Sequence, residues 1–386
     1  MLQPTAKAER ITPVDILRGF ALLGVLAVNM LDFSSPVFMP EYHAPNYGVL
    51  DELAEAAIFF FATSKFYLLF SFLFGLGFAI QMRRTTKTKR AFVPFYLRRL
   101  GILFIFGVLH GLLLWHGDIL STYALAGVAL LTLRNVRTSR LLLLAGVFMV
   151  ISLLIFGASE EFSEWQGEAM TADRLTDIIK TSTYWEMVEF RVDSLDQVAL
   201  MIAQVPSVFA MFLIGLVIGR GGYVERLSEY MPLMRRAGWI GLAIGLPGNA
   251  VFVWGLAEND MLLAAVGMTI GAPALSIFYV SLIARYAHRL KFLAPVGQMA
   301  LTNYLSQTVI CTTLFYGYGF GLYNEINPFP RLLLIFGIYG AQIVVSHLWL
   351  RRFRFGPMEW LWRSLTYGKA QPMVRTAIIE GQVSQS

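Results

Sequence analysis

Residues 97–115 read LRRLGILFIFGVLHGLLLW, and this stretch decides the fold class. After its two arginines it is apolar apart from His110, and about 20 such residues let a helix cross the hydrocarbon core of a bilayer. The composition of the whole chain agrees, because 56% of its 386 residues are hydrophobic and 15% are charged, against about 25% charged residues in a soluble domain. The sequence therefore predicts an all-α, polytopic helical membrane protein. It excludes nucleic-acid binding as the main role, and its one cysteine excludes a disulfide scaffold.

Further apolar stretches on both sides of residues 97–115 extend the prediction to about ten membrane-spanning helices. They cover residues 14–31, 66–82, 97–115, 119–133, 141–156, 198–218, 239–256, 261–284, 296–315 and 332–350. The connections alternate in charge: arginines follow the second and fourth spans, whereas acidic residues follow the first and fifth. By the positive-inside rule, both chain termini are cytoplasmic.

These connections divide one transmembrane domain, residues 1–386, into four parts. Residues 1–157 form the first helical half with the candidate site, and residues 198–350 form the second half. Residues 158–197 are acidic and carry apolar side chains at helical spacing, which indicates amphipathic helices on the outer face. This segment either covers a site or lies along the interface. Residues 351–386 form an amphipathic cytoplasmic tail that we expect along the membrane surface.

Polar residues within membrane spans mark candidate sites, because an ionisable side chain at depth is costly. In the first span, Asp15 and Arg18 stand three residues apart and can pair on one helix face. Asn29 follows Arg18 after eleven residues and lies on nearly the same face. The span therefore carries a polar stripe from its cytoplasmic end towards its outer end. This stripe is either functional or an ion pair with one interhelical hydrogen bond.

The third span carries the sharpest candidate. His110 lies about 9 Å before its outer end, and Asp118 follows in the next turn, where it can cap the fourth helix and orient the imidazole. A histidine oriented by a carboxylate can act as a general base. Arg98 and Arg99 begin the same helix on the cytoplasmic side, where a basic surface suits phosphates. The alternative is that His110 is a hydrogen-bonded structural residue.

Three further polar residues are candidates for binding a substrate. Lys65 either lines an outer cavity or extends its ammonium group to the outer interface, and we favour the second interpretation. Asn303 and Gln307 stand one helical turn apart and form a polar face, which either lines a cavity or joins helices by hydrogen bonds. The sequence contains no cysteine cluster and no HExxH pattern, so we predict no metal site.

Several motifs are recognisable when they are taken together. They are DILRG at 15–19 with Asn29, KF at 65–66, LFSFLFG at 69–75, HG at 110–111, GDIL at 117–120, MALTNYL at 299–305 and GPMEWLWR at 356–363. In this combination, which extends over nearly the whole chain, the sequence resembles the YeiB family of bacterial inner-membrane proteins, a domain of unknown function. The resemblance implies a multi-pass protein of the bacterial inner membrane and does not by itself imply an activity.

The first helix of that family is similar to the first helix of transmembrane acyltransferases, including heparan-α-glucosaminide N-acetyltransferase. In that enzyme an Arg-Gly pair is followed by Asn at the spacing that Arg18 and Asn29 have here. Its catalytic histidine follows that Asn in the outer loop, whereas the nearest histidine here, His43, has a different spacing and context. We therefore assign the role of general base to His110.

The resemblance and the polar residues together predict an acyltransferase. His110, oriented by Asp118, would act as general base on a hydroxyl or amine of an envelope glycan or lipid at the outer side, and Asn29 would hold the thioester oxygen. The co-substrate would be acetyl-CoA or another acyl-CoA, bound at the cytoplasmic mouth. The residues that would hold it are Arg18, Arg98 and Arg99.

Two other classes of function stay open. A transporter for a small polar solute would use Asp15, Arg18 and His110 as a relay across the membrane, and a non-catalytic membrane partner would organise envelope enzymes. An acyltransferase should bind CoA on the cytoplasmic side, whereas a transporter should move its solute without CoA. The partners that we expect are the lipid bilayer and the acceptor. Formation of a homodimer is left open.

Overall fold

The computed structural model describes residues 12–39, 42, 47–87, 92–158, 170–194 and 204–375, most of them helical. A 3₁₀ turn, Lys291–Leu293, comes directly before the short helix Ala294–Gln298. The helices, numbered in chain order, are α1 Thr12–Ser34, α2 Val49–Phe61, α3 Lys65–Lys87, α4 Phe92–Leu113, α5 Leu120–Thr132, α6 Thr138–Gly157, α7 Ala172–Thr181, α8 Tyr184–Asp193, α9 Val205–Gly221, α10 Leu227–Ala257, α11 Met261–Tyr286, α12 Ala294–Gln298, α13 Ala300–Phe315, α14 Pro328–Arg352 and α15 Pro357–Tyr367.

Seven helical stretches in these ranges are long and apolar enough to cross a membrane, and α5 and α9 are shorter apolar helices. The seven are Thr12–Ser34, Val49–Thr85, Phe92–Leu113, Thr138–Gly157, Leu227–Ala257, Met261–Tyr286 and Pro328–Arg352. The prediction of an all-α, polytopic membrane protein is confirmed. Residues 198–203 of the sixth predicted span lie outside the described residues. We call the end of the bundle that the charge pattern predicts to face the cytoplasm the cytoplasmic end, and the opposite end the outer end.

The structure differs from the prediction at residues 49–64, where an additional helix precedes the second span. This helix, α2, ends at Phe61, the chain turns at Ser64, which has a φ of 68°, and α3 begins at the next residue. Charged and apolar residues alternate in the first turns of α2, with Asp51 near its start. The stretch therefore lacks the continuous apolar run by which a span is recognised. Together α2 and α3 form one broken helix.

The ninth predicted span, residues 296–315, is divided between α12 and α13. The short helix α12 packs closely against α1, and glycines permit this approach. A Cβ atom on Gly19 would overlap the carbonyl oxygen of Leu293, and a Cβ atom on Gly297 would overlap that of Asp15. The glycine of the DILRG motif is thus explained by packing.

Two large apolar cores and a small third one hold the described part of the bundle together. Helix α1 lies at the centre of the first and packs against α3, α11, α12, α13 and α14. Helix α9 packs against α3, α5 and α6 in the second core. Helix α4 lies against α5, and α10 forms a hairpin with α11. The central position of α1 places its polar stripe inside the bundle.

Helices α7 and α8 cover the outer end of the bundle, and we call them the cap. Ile179 of α7 and Met187 of α8 are buried in the same apolar cluster as Trp115, which follows α4. The described part of residues 158–197 therefore packs onto the outer end of the bundle, and whether it covers a site stays a prediction. Residues 159–169 and 195–197 of that segment lie outside the described residues.

The tail helix α15 lies across the cytoplasmic ends of α4 and α13. Trp362 Nε1 donates a hydrogen bond to the carbonyl oxygen of Arg99 at 3.0 Å. Glu359 accepts hydrogen bonds from the backbone N–H groups of Leu301 and Thr302, in the first turn of α13. The tail therefore joins α4 to α13 at the end opposite to the candidate site.

Candidate functional site

His110 is buried near the outer end of α4, with 2% of its surface exposed, and both of its ring nitrogens have partners. Nδ1 lies 3.0 Å from Asp118 Oδ1, and Nε2 lies 3.0 Å from Thr308 Oγ1. Gly107 permits the first contact, because a side chain at this position would collide with Asp118 and with the start of α5. The fold thus brings α4, the connection after it and α13 to one point.

Asp118 lies in the connection between α4 and α5 and is also buried. Besides its contact with His110, it accepts hydrogen bonds from the backbone N–H groups of Leu120 and Ser121 and from the Ser121 hydroxyl, at 3.1, 2.8 and 2.6 Å. Burial opposes ionisation of this carboxyl, but the hydrogen bonds from His110 and Ser121 outweigh burial and hold the pKa of Asp118 below its usual range. Asp118 therefore caps α5 and orients the imidazole at the same time.

An ionised Asp118 fixes the tautomer of His110. A carboxylate only accepts hydrogen bonds, so the Nδ1–H group of a neutral imidazole donates to Asp118, and Nε2 accepts from the Thr308 hydroxyl. A hydroxyl, a base and an orienting carboxylate in this order form the arrangement that activates a nucleophile. His110, oriented by Asp118, can therefore remove a proton from the Thr308 hydroxyl or from another hydroxyl group that takes its position.

Thr308 is a residue of the site that the sequence analysis did not identify. It is separated from His110 by 198 residues, so only the folded chain brings the two together. Tyr304 lies one turn earlier on the same face of α13, and its ring centre is 5.1 Å from that of the imidazole. The sequence could have indicated Thr308 through its spacing of four residues from Tyr304, next to the polar face formed by Asn303 and Gln307.

Asn29 is not brought into contact with His110. It lies one turn before Phe33, whose ring centre is 4.3 Å from that of Trp115, and His110 lies about one turn before Trp115. The two polar residues are therefore at similar depth in the bundle. However, both hydrogen bonds of the imidazole go to other residues, and Asn29 is partly exposed. Its role in holding a thioester oxygen stays a prediction.

Two of the three predicted arginines come together at the cytoplasmic end. Arg18 pairs with Asp15 at 3.2 Å, and 34% of its side chain stays exposed. Arg99 lies close enough to Arg18 and to Arg363 of α15 for their charges to repel its own. We call Arg18, Arg99 and Arg363 the arginine cluster. Such a concentration of positive charge suits an anionic ligand.

Arg98 lies apart from this cluster, although it is the neighbour of Arg99. Arg99 stacks its guanidinium 3.7 Å from the centre of the Trp362 ring, whereas Arg98 is exposed and lies beside Gly368 at the end of α15. Adjacent residues of a helix point about 100° apart. Arg98 would therefore contact an anion only at the rim of the cluster.

Lys65 does not reach the outer interface, so the interpretation that its ammonium group extends there is wrong. The side chain is completely buried. Its Nζ atom donates to the Phe59 carbonyl oxygen at 3.1 Å and lies 5.3 Å from the centre of the Phe252 ring. The turn between α2 and α3 frees carbonyl groups, and the ammonium group satisfies one of them. A role of Lys65 in binding substrate stays a prediction.

Asn303 and Gln307 lie between α13 and α14. Asn303 Nδ2 donates to the Ser346 hydroxyl at 3.0 Å, and Gln307 Nε2 donates to Gln342 Oε1 at 2.8 Å. Both side chains are buried, and these bonds favour the interpretation in which they join the two helices. Their role in binding substrate also stays a prediction.

The groups that could hold a co-substrate are those of the arginine cluster. The three cationic side chains of this cluster, one of which pairs with Asp15, suit the charge of a phosphate-bearing molecule such as acyl-CoA. Across the described ranges, no three metal-binding side chains come together. His43, the histidine nearest to Asn29 in the chain, lies outside those ranges.

Known proteins match the chain along nearly its whole length. It is 35% identical to "Uncharacterized protein YxaH" of Bacillus subtilis (strain 168), over 97% of this chain and 98% of the relative. It is 32% identical to "Uncharacterized protein YeiB" of Escherichia coli (strain K12), over 95% and 98% of the two chains. A family model described as "Protein of unknown function (DUF418)" matches residues 218–369. No solved structure matches the chain.

Proposed function

We propose that this chain, which belongs to the YeiB family, is an acyltransferase of the bacterial inner membrane. It would move an acyl group, in the first instance acetyl, from acyl-CoA on the cytoplasmic side to a hydroxyl or amine at the outer side. The acceptor we expect is a glycan or lipid of the cell envelope. The observation that carries this proposal is the buried series of hydrogen bonds from Thr308 through His110 to Asp118.

The proposed step uses His110 as a general base. Nε2 takes the proton of the acceptor hydroxyl or amine while the acceptor oxygen or nitrogen attacks the thioester carbonyl carbon. The carbon–sulfur bond then breaks, and the proton passes from the imidazolium to the departing thiolate of CoA. Asp118 stabilises the imidazolium between these two transfers, because its carboxylate stays ionised and hydrogen-bonded to Nδ1.

Helix α4 supports the proposal by connecting the two parts of the site. Arg99 of the arginine cluster and His110 lie eleven residues apart on α4, which corresponds to about 17 Å along a helix. The long pantetheine arm of CoA would bridge this length, with its phosphates at the cytoplasmic end and its thioester near His110. Asn29, at a similar depth on α1, would donate its side-chain N–H to the thioester oxygen.

Binding of acetyl-CoA to the purified protein tests the cytoplasmic half of the proposal. Acetyl-CoA should raise the thermal midpoint of the detergent-solubilised protein. Arg18→Gln should weaken the apparent affinity about tenfold, because it removes a charge-assisted contact with phosphate. Arg98→Gln should have a smaller effect, since Arg98 lies at the rim. The control is Arg140→Gln, which removes an exposed arginine in the first turn of α6. The absence of any shift in thermal midpoint with millimolar acetyl-CoA or CoA would contradict the proposal.

The proposal also requires the cap to face away from the cytoplasm. A cysteine in place of the exposed Asp177 of α7 should react with a membrane-impermeant thiol reagent in intact spheroplasts, whereas a cysteine in place of the exposed Ser139 of α6 should react only after lysis. The native Cys311 is buried and gives little background. The reverse pattern would put the arginine cluster on the side without CoA and would remove the proposal.

A transporter for a small polar solute is the second candidate, and the broken helix α2–α3 favours it. Discontinuous helices in mid-membrane form the solute sites of many transporters. Phe66 packs directly against Gly24, so the break lies at the middle of α1, and Lys65 is buried there. In proteoliposomes without CoA, a transporter should accumulate solute, whereas the proposed acyltransferase should not.

A further inference from the structure

One charged side chain of the cap points into the bundle. Within residues 170–194, the other charged side chains are exposed or half-buried, whereas Arg191 of α8 exposes 4% of its surface. Its Nη1 atom donates to the carbonyl oxygens of Leu112 and Leu113 at 3.4 and 3.3 Å, at the end of α4. These residues follow His110 within one helical turn. The guanidinium group of Arg191 therefore contacts the outer end of the helix that carries the candidate general base.

Only part of this guanidinium group is used by the fold. Nε and Nη2 of Arg191 are buried and have no hydrogen-bond partner in the part of the chain that the structure describes. A buried cation with unsatisfied donors is costly, and buried arginines normally direct their planar fork at a carboxylate or a phosphate. The two hydrogen bonds to the last carbonyl groups of α4 account for the burial of Nη1. They do not account for the burial of Nε and Nη2.

Tyr316 and Asp32 are the groups that bear on the charge of Arg191, and neither gives its Nε and Nη2 atoms a hydrogen-bond partner. Its Cζ atom lies 5.9 Å from the centre of the Tyr316 ring. One oxygen of the Asp32 carboxylate has partners of its own, since Oδ2 accepts from Trp115 Nε1 at 2.9 Å and lies 3.2 Å from His116 Nε2. A single oxyanion placed between the cap and α4 would satisfy both Nε and Nη2, with the bidentate geometry that arginine prefers.

We propose that Arg191 binds an oxyanion, a carboxylate or a phosphate, carried by the acceptor, so that the acceptor class is anionic. This inference rests on the proposed function, because the guanidinium group that would bind the anion contacts the end of α4, the helix that carries the proposed general base His110. The same oxyanion chemistry is present in an acidic sugar and in the headgroup of an anionic lipid. Arg191 acts here as a binding residue and takes no part in the proton transfer.

Thermal stability of the full-length protein in neutral detergent tests the anion site without acetyl-CoA. Glucuronate and glycerol 3-phosphate should raise the thermal midpoint in a saturable way at constant ionic strength, whereas glucose and glycerol should not. Arg191→Gln should weaken the apparent affinity for these anions about tenfold or more. The matched control is Arg174→Gln, which removes an exposed arginine of the same cap and should bind as the wild type. A parallel arm compares phosphatidylglycerol with phosphatidylcholine.

Each outcome of this experiment decides something. A stabilisation by the soluble anions, or by phosphatidylglycerol alone, that depends on Arg191 supports the proposal and identifies the source of the oxyanion. No stabilisation, or the same stabilisation in Arg191→Gln, overturns it. If Arg191→Gln does not fold, Arg191→Lys takes its place, because an ammonium group can still contact the Leu113 carbonyl but lacks the planar fork. Anion binding without acetyl-CoA binding would reject the proposed function alone, and the converse would reject this inference alone.

Discussion

His110 and Lys65 are two ionisable side chains that the fold removes from solvent, and they are partnered in different ways. His110 exposes 2% of its surface and Lys65 exposes none. Both ring nitrogens of His110 contact side chains of other segments, and one of these partners is the carboxylate of Asp118. Nζ of Lys65 donates to the carbonyl oxygen of Phe59 in the preceding helix, and no carboxylate pairs with it among the residues that the structure describes.

This difference distinguishes a group that can exchange a proton from a group that satisfies the backbone. The Lys65 bond is one of several at the helix break: the Tyr279 hydroxyl donates to the Phe61 carbonyl oxygen at 2.8 Å, and the Ser276 hydroxyl donates to that of Lys65 at 3.1 Å. Within a membrane such carbonyl groups must be satisfied by the protein itself. Burial and charge therefore do not identify a catalytic group unless its partners are known.

Replacement of His110 should have the largest effect on activity. His110→Asn keeps an amide N–H that can donate to Asp118 but has no basic nitrogen. Turnover of labelled acetyl-CoA, measured as transfer or as slow hydrolysis, should therefore fall by roughly 10²–10⁴-fold, with little change in thermal midpoint. His110→Ala should also lower stability, because it leaves Asp118 and Thr308 each without this partner, at a cost of about 1–3 kcal/mol.

Thr308→Val is the matched control for this variant. Valine is close to threonine in shape and lacks the hydroxyl, so the contact between His110 and Asp118 stays in place. If an acceptor takes the position of the Thr308 hydroxyl, Thr308→Val should keep most of the turnover. If Thr308 itself is acylated, the loss should match that of His110→Asn. Wild-type turnover in His110→Asn would reduce the histidine to a structural link between α4 and α13.

Replacement of Lys65 should have a smaller effect, and on stability rather than on turnover. Lys65→Met removes the bond to the Phe59 carbonyl group and also removes a buried cation, and these two changes oppose each other. The free energy of unfolding should therefore change by no more than about 1–2 kcal/mol. Ser276→Ala removes another hydrogen bond of the break and should behave similarly. The measurement is thermal or denaturant unfolding in detergent, with turnover of acetyl-CoA followed in parallel.

A Lys65→Met variant that folds but has no turnover would contradict the distinction between His110 and Lys65. It would give Lys65 a chemical role and would return it to the predicted set of substrate-binding residues. Loss of solute uptake in proteoliposomes, with acetyl-CoA binding absent from the wild type as well, would favour the transporter. Ser276→Ala then shows whether the loss follows from the ammonium group or from disturbance of the break.

How much of the site the sequence could predict depends on how its parts are connected. His110 and Asp118 stand eight residues apart, so helix and turn geometry alone predict their contact. Thr308 and Arg191 arrive from α13 and α8 through tertiary packing, which no local pattern encodes. The arginine cluster is intermediate: the charge pattern predicts that Arg18 and Arg99 share an end of the bundle, but not that α15 adds Arg363.

The fold follows the same rule. Continuous apolar runs predict the membrane spans, because each run alone satisfies the length and polarity that a bilayer requires. The breaks at Ser64 and Met299 depend instead on which distant groups satisfy the freed backbone atoms. For the second break, one such group is the Glu359 carboxylate of α15, which accepts from the N–H of Leu301. A helix 58 residues further along the chain thus stabilises the start of α13, which the local sequence does not predict.

The smallest expected effect concerns this third buried ionisable side chain, Glu359, at the cytoplasmic end. Its carboxyl group accepts hydrogen bonds from the backbone N–H groups of Leu301 and Thr302 and from the Thr302 hydroxyl. Burial nevertheless raises the pKa of Glu359 above its ordinary value, against the opposing effect of these bonds. The folded protein therefore keeps a proton on Glu359 at pH values where the unfolded chain has lost it.

Because the folded pKa is raised, the stability that Glu359 contributes is fully present below its unfolded pKa and is lost as pH rises through the folded pKa. The thermal midpoint of the wild type should decline over this range, and Glu359→Gln, which cannot titrate, should remove that part of the decline. Glu186→Gln is the control with the opposite sign, since hydrogen bonds at Thr183 lower the pKa of the exposed Glu186. If Glu359→Gln keeps the wild-type pH dependence, the carboxyl group of Glu359 binds its proton equally well in the folded and the unfolded chain, and the raised pKa of the folded state is contradicted.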